Sequence, residues 1–354
     1  MATMAQAIRM ALAYGEQHLG VKDIFGEDVG PPLGGAFTIT QGLKTSWNSP
    51  LDERGIVGMA TGLALAGSSC VAEVQFCDYI FNTIDLLKLA GNICWASKGA
   101  YNVPLVLMTP VGSGIHGALY HSHSFDSWAV RIPGWKIVMP SNSYDAFGLM
   151  LAAIKDPNPV MYLIPKALMR SGHGDLIPGE PESKKELREM IDMPVNQEER
   201  EKWKPRWPDL KDPEISLGKA KRLKEGNDAT VISYGRTMPI AMHAAEKIAH
   251  EHGIHFDVLD LRTLYPYDWE AISESVQRTG RVIFINEDTE ISNFGEHLIR
   301  RTCDELFYFL KVRPRLLAGK HLPGVGLSIP LENASVPQWN HIEKEMLELA
   351  FEEA

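Results

Sequence analysis

The feature that most constrains this chain is an alternation that happens twice. Short apolar runs of strand length trade places with longer segments of helical period, first over residues 1–170 and again over 215–354. In the first stretch, residues 70–76, 104–109, 135–139 and 160–164 read as strands, while 55–67, 82–96 and 144–154 read as helices. The helix over 55–67 carries four glycines among Ala, Leu and Met, which suits close packing against a neighbour. In the second stretch, strands fall at 229–234, 255–260, 281–287 and 312–317, and helices at 238–252, 267–277, 293–306 and 340–353. A strand buried on both faces reads as a continuous apolar run, and parallel strands need a crossover, usually a helix, between them. The pattern predicts an α/β fold: a parallel sheet with helices on both faces, followed by a smaller C-terminal α/β domain. In such sheets, ligands bind beyond the carboxyl ends of the strands.

Between the two stretches the composition changes. Residues 171–214 hold six prolines, many charges and little period beyond a short helix over 183–191. They read as an inter-domain linker or a surface excursion, functional or partly mobile. Trp203 and Trp207 suggest that part of it packs down, on its own chain or on a neighbouring subunit. The chain opens on an amphipathic helix. Thr3 and Gln6 fit a capping box, and Met4, Ile8 and Leu12 recur at helical spacing. The start lacks the pattern of a secretory signal, and no apolar run reaches the roughly 18 residues that span a bilayer. A net charge of −10 argues against nucleic acid or an anionic membrane as the main partner. Four cysteines without a CxxC pair or zinc-type spacing fit a reduced, cytoplasmic compartment.

Three polar clusters sit at the ends of apolar runs. In the first, Glu53 follows a Pro-Leu-Asp turn and opens the glycine-rich helix. It is either a helix-start acid favoured by the dipole or a carboxylate in a crevice. There Leu51 and the glycines would lower the dielectric, raise its pKa and suit it to proton exchange near neutral pH. In the second, Gln75, Asp78 and Tyr79 lie where a strand enters a loop, placed either to orient a ligand or merely to face solvent. In the third, His116, His121 and His123 fall within eight residues among glycines. A zinc site lacks its carboxylate partner or HExxH pattern here, so a mobile loop presenting one catalytic imidazole is the better reading. Asp156-Pro157-Asn158-Pro159 stops the 144–154 helix, for which Ser141 or Ser143 is the candidate N-cap. The exposed carbonyls of that helix end, beside Asp156, could also hold a monovalent cation.

Taken together the motifs resemble a known family. Gly26-Glu27-Asp28-Val29-Gly30, Asp52-Glu53-Arg54-Gly55-Ile56-Val57-Gly58, Pro133-Gly134-Trp135-Lys136-Ile137-Val138-Met139-Pro140, Asp156-Pro157-Asn158-Pro159 and Val258-Leu259-Asp260-Leu261-Arg262-Thr263-Leu264-Tyr265-Pro266 occur in the order found in beta subunits of the thiamine-diphosphate-dependent 2-oxoacid dehydrogenases. The resemblance spans everything except roughly 171–214, and residues 72–81 and 117–122 look most like the branched-chain (2-oxoisovalerate) type. It implies a thiamine-diphosphate-binding-type sheet over 1–170, the 171–214 linker, and a transketolase-like C-terminal assembly domain over 215–354. In this family the alpha subunit carries a Gly-Asp-Gly segment that holds magnesium and the diphosphate. This chain has none, so the resemblance implies half a site, inactive without its partner in an α2β2 heterotetramer.

The same resemblance assigns roles. Glu53 would hydrogen-bond the aminopyrimidine ring of the cofactor, with Leu51, Gln75 and Tyr79 lining that pocket. His121 would serve proton transfer during acylation of the lipoyl group on an acyltransferase core. A potassium ion would sit at Leu105, Ala153, Ile154, Asp156 and Asn158, mostly through backbone carbonyls. The reaction implied is oxidative decarboxylation of a small, branched-chain 2-oxoacid. The excursion is longer than in familiar members, and His123 stands where glutamine is common. The acidic end, Glu343, Glu345, Glu348, Glu352 and Glu353, could meet a basic subunit-binding module or form a solvated face. The rival readings are a pyruvate or acetoin dehydrogenase, a non-catalytic assembly or regulatory subunit, and a self-contained transketolase-like enzyme, which the missing diphosphate motif disfavours.

Overall fold

A computed structural model describes residues 1–353. The chain forms two compact units, neither contiguous in sequence. Met1–Pro110, Ile132–Ile164 and Leu168–Leu217 make the first; Val111–Arg131, Pro165–Ala167 and everything from Gly218 make the second.

The first unit is built on β1 (Val21–Gly26), β2 (Ser46–Asn48), β3 (Ser69–Glu73), β4 (Leu105–Val111), β5 (Lys136–Val138) and β6 (Val160–Pro165), in the order β5-β6-β4-β3-β1-β2. β1 runs parallel to β2 and β3, β3 to β4, and β5 to β6. Every residue of β4 and β6 is buried, which accounts for their nearly continuous apolar sequence, Thr109 being the polar exception in β4.

Helix α1 (Met4–His18) starts with the expected capping box: Gln6 N donates to Thr3 Oγ1 (3.2 Å) and Thr3 N to Gln6 Oε1 (3.0 Å). It is buried almost all round and packs on the helix Ser143–Lys155. That helix is capped by Asn142 and not by Ser141 or Ser143. Asn142 has an extended backbone and its Oδ1 accepts from Asp145 N (2.8 Å), whereas Ser143 is already the first helical residue.

Helix α2 (Glu53–Leu65) is the glycine-rich segment, and α3 (Ile84–Ala96) follows a short 3₁₀ stretch at Cys77–Thr83. Glycine at 91 and 134 is required where α3 meets the turn before β5. A Cβ on Gly91 would lie 2.3 Å from Pro133 O, and one on Gly134, at φ +90°, would lie 1.9 Å from Gly91 O. Beside them Trp135 is buried and its Nε1 donates to Leu87 O (2.7 Å).

The 171–214 segment packs on the first unit of its own chain. Ile177, Leu187, Ile191 and Leu210 are buried in the same core as α1, with Trp207 against it. Its helix Lys184–Ile191 is capped by Ser183. Buried Arg9 of α1 pairs with Asp192, and Lys155 Nζ with Asp212 (2.6 Å).

The second unit carries β7 (Lys221–Lys224), β8 (Ala229–Ser233), β9 (Phe256–Asp260), a short β10 (Thr263–Tyr265), β11 (Val282–Thr289) and β12 (Arg315–Gly319). Its five-stranded sheet has the order β12-β11-β8-β9-β7, parallel except for β7. Alternation along the strands separates two faces. Ala229, Val231, Phe256, Val258, Ile283 and Ile285 pack with the helices Thr237–His252 and Trp339–Phe351. On the other face Thr230 Oγ1 meets Ser275 and Thr279 of the helix Trp269–Thr279 at 2.7 and 2.8 Å. The acidic end is largely paired within the unit. Arg315 binds Glu345, Glu348 and Glu352, and Lys247 binds Glu343. A row of free carboxylates awaiting a basic module is therefore not what this helix offers.

Candidate active site

The crevice at the carboxyl ends of β1 and β3 begins with a close backbone approach. A Cβ on Gly26 would lie 2.7 Å from Glu73 O, so glycine lets the two strand ends converge. Glu27 and Asp28 follow at once, and Gln75 lies just past β3. Its Nε2 donates to Asp28 Oδ2 at 2.7 Å. Glu53, half-buried, opens α2, where the helix N-terminus favours a carboxylate. Asn82 Nδ2 donates to Glu53 Oε2 at 3.4 Å. Asn82 shares the 3₁₀ stretch with Tyr79, whose ring meets the edge of Phe76 at 6.2 Å, and Phe76 meets Phe37 at 6.0 Å.

Electrostatics bind these groups into one acidic cluster. Burial, then the charges of Glu53 and Asp28, push the Glu27 carboxyl up. Burial, then Asp28 and Glu27, push fully buried Glu73 up to about 8. Glu27 Oε1 is buried with no hydrogen-bond partner among the described residues. Buried polar atoms are normally paired, so this oxygen marks a place for a donor from outside the chain. The crevice thus brings Glu53 and Gln75 together through Glu27 and Asp28, with Tyr79 on the same stretch as Asn82. Leu51 is 81 % exposed, so the low-dielectric wall expected from it is not formed within this chain. Glu27, Asp28, Glu73 and Asn82 were missed as site residues. The signal for the first two was present, as two acids at a strand end between glycines.

Four of the five candidate cation residues, Ala153, Ile154, Asp156 and Asn158, lie at or just past one helix end, and Leu105 opens β4. Asp156 N donates to Ala153 O (3.2 Å) and Asn158 N to Asp156 Oδ1 (3.0 Å). Lys136 Nζ pairs with Asp156 Oδ2. Leu105, Ala153 and Ile154 are buried, and Asn158 Oδ1 is buried with no hydrogen-bond partner among the described residues. No group of three His, Cys, Asp or Glu side chains among the described residues could hold a metal.

His121 belongs to the second unit. Its loop is tied down by two carboxylates. Ser113 N and Oγ donate to Glu287 at 3.2 and 2.8 Å, and Gly112, at φ +82°, leaves no room there for a Cβ. His116 Nδ1 lies 2.8 Å from Glu332, which also accepts from Gly114 N and His116 N. Gly112 N also donates to His123 O (2.7 Å), which closes the loop on itself. His121 follows the turn Ala118–Tyr120, its Nδ1 3.3 Å from Gly117 O.

The description of the transketolase pyrimidine binding domain matches residues 1–171, and that of the transketolase C-terminal domain matches 218–342. The chain is 34 % identical over 334 residues to the 2-oxoisovalerate dehydrogenase subunit beta of Bacillus subtilis, covering 92 % of each. It is 32 % identical over 358 residues to the pyruvate dehydrogenase E1 component subunit beta of Acholeplasma laidlawii, covering 98 % of each. Among solved structures, a split-gene transketolase described as an inactive beta4 tetramer superposes with a TM-score of 0.73 over the whole of both chains. At 18 % identity it speaks for the fold. The two domains in this order, and the relatives that share them end to end, make this chain a member of the 2-oxoacid dehydrogenase beta-subunit family.

Proposed function

We propose that this chain is the beta subunit of a thiamine-diphosphate-dependent 2-oxoacid dehydrogenase that acts on branched-chain 2-oxoacids. The observation that carries the reading is the crevice around Glu53. An acid stands at a helix start beside a raised Glu27, whose unpartnered oxygen awaits a donor. An aminopyrimidine offers ring nitrogens and an exocyclic amine, so the residues present fit that half of the cofactor. When bound, the thiazolium of thiamine diphosphate supplies the electron sink for decarboxylation.

The chain's own residues do the rest. Glu53 holds and exchanges a proton at the pyrimidine ring nitrogen, Gln75 and Tyr79 orient the ring, and Leu51 covers it from an exposed position. His121 moves a proton during acyl transfer to a lipoyl-bearing acyltransferase. Magnesium and the diphosphate belong to an alpha subunit. A potassium ion would be held by Asn158 Oδ1, which has no partner among the described residues, and by carbonyls of Leu105, Ala153 and Ile154, with Asp156 paired to Lys136 beside them.

Exposed apolar residues on α2 (Met59, Leu65) and α3 (Leu89, Trp95), with Leu51 before them, suit a permanent interface in an α2β2 heterotetramer. The proposed compartment is the cytoplasm. No helix among the described residues is long and apolar enough to cross a membrane.

Co-expression with candidate alpha subunits tests the reading. The pair should decarboxylate 2-oxoisovalerate faster than pyruvate, and each chain alone neither. Turnover confined to pyruvate would favour the other relative's substrate. Turnover by this chain alone would overturn the proposal.

A further inference from the structure

The 171–214 segment closes one side of a cavity. It measures about 510 Å³ and is walled by the first turns of α1, by residues 37–41 and by the segment. Four arginines line it: Arg9, Arg170, Arg188 and Arg200. Asp192 is the one acid on the same wall, and it is committed to Arg9 and to Gln6 Nε2 (3.0 Å). Gln41 Oε1 is equally committed, accepting from Arg9 (3.0 Å) and from Met193 N (3.2 Å). Arg9 is 98 % buried in a chain of net charge −10, yet its Nε has no hydrogen-bond partner among the described residues. Arg170, Arg188 and Arg200 are exposed and form no ion pair among the described residues, and Arg200 Nε donates to Pro194 O (2.8 Å). Thr38, also in the wall, sits at φ +62°, a strained conformation for a β-branched residue.

We infer that this cavity is a second ligand site, for a small molecule bearing two or more phosphoryl groups. Guanidinium groups take phosphate oxygens in paired, charge-assisted hydrogen bonds. Four of them against one neutralised acid leave an excess of positive charge that a single carboxylate would not satisfy. The site shares no charged residue with the Glu53 crevice; the two meet only at Phe37, whose ring packs on Phe76. A ligand there would join α1 (Arg9) and the turn before the excursion (Arg170) to the excursion itself (Arg188, Arg200). Occupancy would therefore hold the excursion down.

Pyrophosphate is the probe, titrated calorimetrically into the purified full chain at fixed ionic strength, with citrate as the carboxylate control. The proposed diphosphate holder for catalysis lies in another polypeptide, so this result and the assignment of function stand or fall separately. One saturable site per chain is expected. Slower hydrogen exchange across Lys184–Ile191 on binding should accompany it. Arg170→Gln and Arg188→Gln remove exposed charges without touching the core, and each should weaken binding by about tenfold. No saturable binding, binding unchanged in the double variant, or equal affinity for citrate would each overturn the proposal.

Discussion

At Glu73 burial has a consequence that a titration can read. The folded chain holds this carboxyl at about 8, above the ordinary 4.5, through burial and the neighbouring Asp28 and Glu27. A group raised on folding contributes fully below its unfolded value, and that contribution is lost as pH rises through the folded one. Glu73→Gln keeps the shape without the charge. Its advantage in a urea midpoint over the wild-type chain should therefore grow from pH 4.5 to pH 8, by at most about 1.4 kcal/mol per pH unit. A gap independent of pH would show that Glu73 is ionised in the fold. Glu53 was legible in the sequence because an acid ahead of a glycine-rich helix is visible in one dimension. Glu73 was not. It ends a run that reads as a buried strand, and its neighbours arrive from β1, about fifty residues earlier in the chain.

The long elements matched their apolar patterns closely, because burial on both faces of a parallel sheet leaves a continuous signal. What escaped were elements too short or too charged to carry one. β2 and β10 have three residues each, and β7 is Lys-Arg-Leu-Lys, an edge strand held by its antiparallel pairing with β9. The Asn142 cap also escaped, since three capping residues stand side by side and only backbone geometry selects among them. The junction of α3 with the turn before β5 makes a sharp prediction. Gly134→Ala meets both a left-handed backbone and a carbonyl 1.9 Å from the new Cβ. It should cost about 1–3 kcal/mol or more in unfolding free energy. An unchanged denaturation midpoint would mean that the junction can open.

For the whole molecule, the family resemblance implies half a site, and what the structure adds is a crevice with an oxygen unpartnered among the described residues and exposed apolar residues on the helices beside it. What one chain cannot display is its complement, because surface meant for a partner looks like any other exposed apolar surface. Met59→Asp and Leu89→Asp alter residues 45 % and 55 % exposed, so the circular dichroism of the chain should stay unchanged. Both should abolish co-purification with the alpha subunit; retained assembly would move the interface elsewhere. The proposed chemistry turns on the Glu53 carboxyl, and the rate of 2-oxoisovalerate decarboxylation by the assembled complex carrying Glu53→Gln reads it. A loss of about 10²–10⁴-fold is expected, the range for a missing proton-transfer group, with the complex still assembled. An intact complex turning over at the unaltered rate would contradict it.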